Sequence, residues 1–391
     1  MDDLREALRE LPCGRRLLDA AAGMPGVHLV GGAVRDLLLG RVPRELDVVV
    51  EGRVDALAAR LAGDGEHVAH ERFGTATVRR EDCCWDLASA RAETYTRPGA
   101  LPDVFAAGIE QDLQRRDVTV NAIALGLADG RLRAVAHAEE DLRAGRLRVL
   151  HDASFSDDPT RLWRVARYAA RLRFALEPHT AVLATQAVRA GVLQTVSRAR
   201  IGNELRLALA EPDPLAALES AVALGLAPWL ALDRALTARA LALLPAGEGR
   251  RDLLVLAAAL ARSDGAVLDG LGFTAAERAI LRACMHAPAL ENVARAPSQL
   301  ARMLRNLPVE AVALAGARGA PEPARRWLDE LRHIGLQITG DDLLAAGIAA
   351  GPDLGRRLQA VLDLRLDGAL DAGRAAELHA ALQDRPATST P

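Results

Sequence analysis

The apolar pattern changes character once, near residue 140, and that change limits the chain to a mixed α/β segment followed by a long helical one. Before it, short apolar or β-branched runs alternate with Gly- and Pro-bearing turns. Val27–Val30 and Leu46–Val50 read as strands, as do 75–79 and 84–88. Helices are expected over 33–39, closed by Gly40, and over Asp55–Ala62; 97–102 is a loop by its Pro and Gly content. A further apolar run covers 121–127. Beyond 140 strand-like runs vanish and Leu and Ala recur at helical spacing, over 161–174, 200–210, 214–224 and 251–262. Aromatics make up 3% of the 391 residues, so the core must be built from Leu, Ala and Val. Glycine and proline breaks fall at 246–249, 319–321 and 351–352, and 386–391 reads as disordered.

Several function classes drop out. Cys13, Cys83, Cys84 and Cys284 form no CxxC pair, so neither a zinc site nor a disulfide framework is expected. No apolar run approaches the ~20 residues of a membrane span, and the acidic N-terminus lacks a signal-peptide pattern. A cytoplasmic protein with no membrane partner is expected. The net charge of −3 supplies no global attraction for a polyanion. Every basic residue is Arg, a planar fork of donors suited to phosphate.

Four local patterns carry chemistry. Gly31-Gly32-Ala33-Val34-Arg35-Asp36 joins a strand to a helix, where glycines allow close backbone approach and a helix N-terminus favours phosphate. Alone it is more often a plain turn. Glu45 and Asp47 stand two apart at the start of the second strand, so they share a face while Leu46 and Val48 point to the core. Adjacent carboxylates suit Mg²⁺ held together with a nucleotide's phosphates, or are ordinary surface acids. Arg115-Arg116-Asp117 is either a solvated edge or a triphosphate clamp, with Asp117 orienting the Arg fork. Asp157-Asp158-Pro159-Thr160-Arg161 opens a helix whose Arg161, Arg164, Arg167 and Arg171 recur every three or four residues as one basic stripe. Asp158 and Arg161 offer the acceptor and donors needed to read a base edge without a template.

Together these motifs resemble a known family. Gly31-Gly32-Ala33-Val34-Arg35-Asp36-Leu37-Leu38-Leu39-Gly40-Arg41 followed by Glu45-Leu46-Asp47 is similar to the signature of class II tRNA nucleotidyltransferases and bacterial poly(A) polymerases. Phe73-Gly74-Thr75-Ala76-Thr77-Val78 and the loop Tyr95-Thr96-Arg97-Pro98-Gly99-Ala100-Leu101-Pro102 look like its next segments. Arg115-Arg116-Asp117-Val118-Thr119-Val120-Asn121-Ala122 is similar to its RRDxTxNA motif, and Asp157-Asp158-Pro159-Thr160-Arg161 to its (E/D)DxxR motif. The resemblance runs from about Val27 to Leu230, with a weaker match from Ile338 to Leu344.

The resemblance implies an α+β protein. A small mixed α/β nucleotidyltransferase head, polymerase-β-like and catalytic, would span 1–140; an all-helical neck (141–200), body (201–320) and tail (321–391) would follow, the last binding tRNA. It implies addition of CMP and AMP to the tRNA 3′ end, with ATP and CTP as substrates, two Mg²⁺ ions and pyrophosphate release. Carried over by position, Glu45 and Asp47 hold the metals, with Asp86 a possible third carboxylate. Gly31, Gly32, Arg35 and Arg116 contact the nucleotide from the head, and Asp158, Arg161, Arg164 and Arg167 from the neck. The family carries Asp where this chain has Glu45. CC-adding members have a shortened loop, whereas 91–113 is largely complete here with Arg97 and a Pro98-Gly99 hinge, so terminal A addition and full CCA synthesis are expected. The alternatives are an A-adding or CC-adding specialist, a poly(A) polymerase, which tends to carry a basic turn where Phe73-Gly74-Thr75 stands, and a non-catalytic tRNA-binding protein.

Overall fold

The computed structural model describes residues 2–63, 66–70, 74–260, 265–290 and 296–383, and its contacts divide into two units, Met1–Ala227 and Pro228–Pro391. The first unit carries every motif above except the weak C-terminal match; Phe73 lies outside the described residues.

Two helices open the first unit, α1 (Asp2–Glu10) and α2 (Pro12–Ala20). They are followed by β1 (Val27–Val30), α3 (Gly32–Leu38), β2 (Leu46–Val50), α4 (Asp55–Ala62), β3 (Glu66–His70), β4 (Thr75–Arg80) and β5 (Cys83–Ser89). A hairpin of β6 (Arg91–Thr94) and β7 (Asp103–Ala106), then α5 (Ile109–Gln114), occupy most of the stretch that reads as one loop. After a 3₁₀ turn, β8 (Ile123–Gly126), β9 (Leu132–Ala134) and α6 (Ala138–Ala144) complete the α/β part. Seven strands form one sheet in the order β3-β4-β5-β2-β1-β8-β9. The β2–β5 pair is parallel, which sets Asp47 opposite Asp86, and β1 runs antiparallel between β2 and β8. Ile109 and Leu113 of α5 join Val30, Val49 and Ala124 in one buried cluster, so the helix that leads into Arg115 is anchored to the central strands.

Then follow β10 (Arg146–Leu147), α7 (Ser154–Asp157), α8 (Thr160–Leu172), β11 (Ala175–Leu176), α9 (Pro178–Arg189), α10 (Arg198–Leu209) and α11 (Pro214–Ala223). The two-residue strands β10 and β11 pair in parallel, so this part is not purely helical; they are too short to carry a period in sequence. The side chain of Asp158 caps the α8 N-terminus, accepting from the Thr160 backbone N–H at 3.0 Å and from its hydroxyl at 2.7 Å.

The second unit is helical. Arg251–Ala259 is buried throughout from Leu253, and Ile338, Leu343, Val361 and Ala381 form a separate apolar cluster near the C-terminus. The last residues of the helix expected over 251–262 lie outside the described residues, as does 386–391. No helix among the described residues is long and apolar enough to cross a membrane.

The cysteine expectation is overturned. Cys13 of α2 and Cys83 of β5 form a disulfide, with Cα atoms 5.5 Å apart and 70 residues between them in sequence. Trp85 reinforces the junction by donating its indole N–H to the Cys13 carbonyl at 3.1 Å. Spacing conveys nothing here, because the partners meet through the tertiary packing of α2 on the sheet.

Candidate active site

The turn between β1 and α3 is built for close approach. Gly31 has φ +67° and donates its N–H to the Ile123 carbonyl at 2.9 Å. A Cβ there would lie 2.8 Å from Arg116 Nη1, so glycine is what lets this guanidinium reach the start of α3. Arg35, one turn into α3, is 1% exposed; its guanidinium donates to Asp36 at 2.9 and 2.7 Å and to the Asn121 side-chain oxygen. Arg35 therefore reaches the site wall with its donors already engaged by protein.

Leu46 and Val48 are buried, while Asp47 between them is half-buried, as the strand alternation requires. Glu45 is exposed and stands one residue before the strand rather than in it. Burial raises the Asp47 carboxyl above its ordinary range; Arg116 opposes this, while Glu45 and Asp86 add to it. A carboxylate held against its charged form by neighbouring acids is relieved by a cation, so the donor set fits one. Among the described residues no three His, Cys, Asp or Glu side chains cluster as a closed metal cage. Asp86 is exposed, bound by the Thr77 hydroxyl at 2.7 Å, and does not complete such a group.

The Arg fork is oriented by an acid the sequence reading passed over. Asp112 is fully buried in α5, and residues three and four further on share its face. One of its oxygens accepts from Arg115 at 3.0 and 2.8 Å and the other from Arg116 at 2.9 Å. Burial opposes its charge, but Arg116 and Arg115 outweigh it and hold the carboxyl below the usual range. Asp117, expected in this role, lies past the helix end and faces α8. It accepts from Arg164 Nε at 2.7 Å, the Tyr168 hydroxyl at 3.1 Å, Asn121 at 3.2 Å and the Val118 N–H at 2.9 Å. Burial again opposes ionisation, and Arg164, Asn121 and Arg161 overcome it, leaving the carboxyl well below its ordinary range.

The α8 stripe is not an uncompensated basic face. Arg164 pairs with Asp117, Arg167 with Glu211 at 3.1 Å, and Arg171 with Asp36 at 3.5 Å. The counter-charges sit on other elements, so no inspection of the helix's own period reveals them. Arg161 is 4% exposed and donates to the Ser154 hydroxyl at 2.8 Å and the Arg115 carbonyl at 2.7 Å. Asp158 accepts from Arg200 at 2.8 Å in addition to capping α8.

Two cavities meet at Asp47. The first, about 410 Å³, is lined by Gly32, Arg35, Glu45, Asp47, Arg164 and Arg167 among others. The second, about 380 Å³, is lined by Gly31, Gly32, Asp47, Arg116, Asp158 and Arg161, with Arg164 again at its edge. Every residue that the resemblance assigns to metal or nucleotide thus borders one of them, Asp86 excepted. Glu93, Tyr95, Tyr168 and Glu211 border them too and were not singled out. Glu93 has a sequence signal in hindsight. It stands two residues after Arg91 and two before Tyr95, all on one strand face, and it accepts from Arg91 at 3.2 Å, Arg115 at 2.9 Å and Tyr95 at 3.1 Å.

Comparison with known proteins agrees with this architecture. Residues 27–148 match the family model described as the poly(A) polymerase head domain. The chain is 34% identical over 386 residues to an A-adding tRNA nucleotidyltransferase of Geobacter sulfurreducens, covering 88% of this chain and 43% of the relative. It spans less than half the length of this and two further A-adding relatives. A solved Thermotoga maritima CCA-adding enzyme complexed with tRNA superposes with a TM-score of 0.72 at 28% identity, over 97% of this chain and 98% of that one. A CC-adding tRNA nucleotidyltransferase of Deinococcus radiodurans is 38% identical over 353 residues, which cover 88% of this chain and 85% of the relative. With a relative matched over most of its own length, the head-domain match and the motifs in order, the chain belongs to the family of class II tRNA nucleotidyltransferases and bacterial poly(A) polymerases.

Proposed function

We propose that this chain is a template-independent nucleotidyltransferase that adds CMP and AMP to the 3′ end of tRNA and releases pyrophosphate. The observation that carries this reading is Asp47 at the junction of two cavities. One suits an incoming nucleotide and the other the RNA end that receives it. Glu45 and Asp47 are the residues that would hold two Mg²⁺ ions, whose role when bound is to neutralise triphosphate charge and acidify the attacking hydroxyl. Arg116, locked by Asp112, presents its remaining donors to phosphate beside the Gly31-Gly32 turn. Asp158, Arg161 and Arg164 form the base-facing wall, where hydrogen bonds already made within the protein keep the polar groups in place. Arg35 and Arg167, which the resemblance gives as nucleotide contacts, line the other cavity, and on this reading they act on the RNA end. The cytoplasm, where tRNA matures, is the compartment this reading assigns.

Anchoring of the Pro98-Gly99 hinge supports terminal A addition. The Gly99 N–H donates to the carbonyls of Ser156 and Asp157 at 3.1 and 3.3 Å, and Arg200 bridges the Gly99 carbonyl at 2.9 Å and Asp158 at 2.8 Å. The loop is therefore tied to the base-facing wall and can reshape it. The 38% identity to the CC-adding relative, over 85% of that protein, favours a second reading, a CC-adding specialist. Three tRNA transcripts decide between them: one lacking CCA, one ending in C and one ending in CC, each given CTP, ATP or both. Extension of the CC-ended transcript by a single A is the expected result. Two C residues on the truncated transcript with no A on the other makes it a CC-adding enzyme. Growth of the CC-ended transcript alone makes it an A-adding one. Long A tails on unrelated RNA, or no incorporation with any transcript, overturn the assignment to tRNA end synthesis.

A further inference from the structure

A transfer between two substrates needs two binding surfaces, and the cavity on the Glu45 side of Asp47 has features that specify its occupant. It continues into a third cavity of about 420 Å³, the two sharing Asp36, Arg44, Arg171 and Glu211. Glu211 follows the end of α10, and its side chain is 5% exposed. Its Oε1 accepts from Arg167 Nη1 at 3.1 Å. Its Oε2 is buried with no hydrogen-bond partner among the described residues, and Arg44 Nη1 stands 3.7 Å away. Arg44 offsets the charge of this oxygen as an ion pair but makes no hydrogen bond to it, so its lone pairs are left for a ligand N–H. Arg44, half exposed, and Arg171 supply positive charge in the same walls.

Resting on the function proposed above, we propose that Glu211 reads the 3′-terminal base of the RNA that is extended, accepting a hydrogen bond from the exocyclic amine of cytosine, while Arg44 and Arg171 face its backbone phosphate. Uracil carries a carbonyl oxygen where cytosine carries that amine, so it would set acceptor against acceptor. A hydrogen bond to a charged group corresponds to about a tenfold to hundredfold difference in kcat/KM.

The substitution Glu211→Gln makes the proposal specific. Arg167 requires an acceptor, so the glutamine carbonyl stays toward it and the amide nitrogen takes the place of Oε2. An acceptor becomes a donor, now matched to the uracil carbonyl. The experiment measures kcat/KM for ATP incorporation into one tRNA transcript ending in CC and a second ending in CU. The wild-type protein should favour the CC end by about tenfold or more, and Glu211→Gln should abolish or invert that ratio. Glu211→Asp, which withdraws the carboxylate by one methylene, should lower it, and serves if the Gln variant does not fold by circular dichroism. Equal losses on both transcripts would mean that Glu211 merely holds Arg167, and the proposal fails. A wild-type protein that extends both ends equally also overturns it while leaving the nucleotidyltransferase reading intact. ATP incorporation into neither end overturns this proposal together with terminal A addition, and the nucleotidyltransferase reading falls with them only if CTP is not added to the transcript lacking CCA either.

Discussion

Asp47→Asn should lower nucleotide incorporation about a thousandfold at saturating Mg²⁺ while tRNA affinity stays near that of the wild type. The expectation follows from position. Among the described residues Asp47 is the one strand carboxylate bordering both cavities, and removing its charge forfeits several kcal/mol of transition-state stabilisation, at about 1.4 kcal/mol per tenfold. The same substitution should make the protein more stable when divalent ions are absent. Burial and the neighbouring Glu45 and Asp86 raise the Asp47 pKa, so folding of the wild type weakens as pH rises through that raised value. Asparagine has no charge to disfavour, so its melting temperature should exceed the wild type's at neutral pH. The two should converge in acid, where Asp47 is protonated. Single-turnover incorporation, filter binding and melting with chelator test the three parts. Turnover within tenfold of wild type would remove Asp47 from the reaction.

Asp117→Ala should destabilise the first unit by about 2–4 kcal/mol, a drop in melting temperature of roughly 5–12 °C for a unit of this size. The variant strips Arg164 of its carboxylate and leaves the Tyr168 hydroxyl and the Asn121 amide without their shared acceptor. The estimate sits at the lower end for a buried pair because the Arg164 side chain is 38% exposed and can turn to water. Asp117 is held below its ordinary pKa, so its contribution is present above about pH 4 and fades as pH falls toward the native value. The gap between wild type and variant should therefore narrow in acid. A variant that melts within 1 °C of wild type at pH 7 would show that this hub carries no stability.

The parts of the site legible in sequence are those governed by local periodicity. Alternation in Leu46–Val50 is enough to put Asp47 on the face opposite the core, and a Gly-Gly pair between a strand and a helix is enough to mark the turn beside Arg116. What was not legible depends on partners far along the chain. Asp112 and Asp117 are five residues apart and both precede an apolar run. Only the end of α5 at Gln114 determines that the first orients the Arg fork and the second faces α8. The β6–β7 hairpin escaped because β7 is exposed throughout and the partly buried positions of β6 are mostly polar, so no apolar alternation marks it. Glu211 and Cys13 likewise acquire their meaning from Arg167 and Cys83, each reached only after the chain has folded.

The compensated stripe on α8 has a consequence for how this protein should respond to electrolyte. A free row of arginines binds RNA largely by liberating condensed counterions, and each phosphate contact then adds to the steepness with which affinity falls as salt rises. Here Arg164, Arg167 and Arg171 already hold carboxylates of the same chain. A phosphate that approaches them meets ion pairs already balanced in charge, so few of the cations condensed on the RNA are released to bulk solution. Affinity contributed by this face should be nearly flat with ionic strength, and the exchange should appear instead as a rearrangement of Asp36 when RNA reaches Arg171.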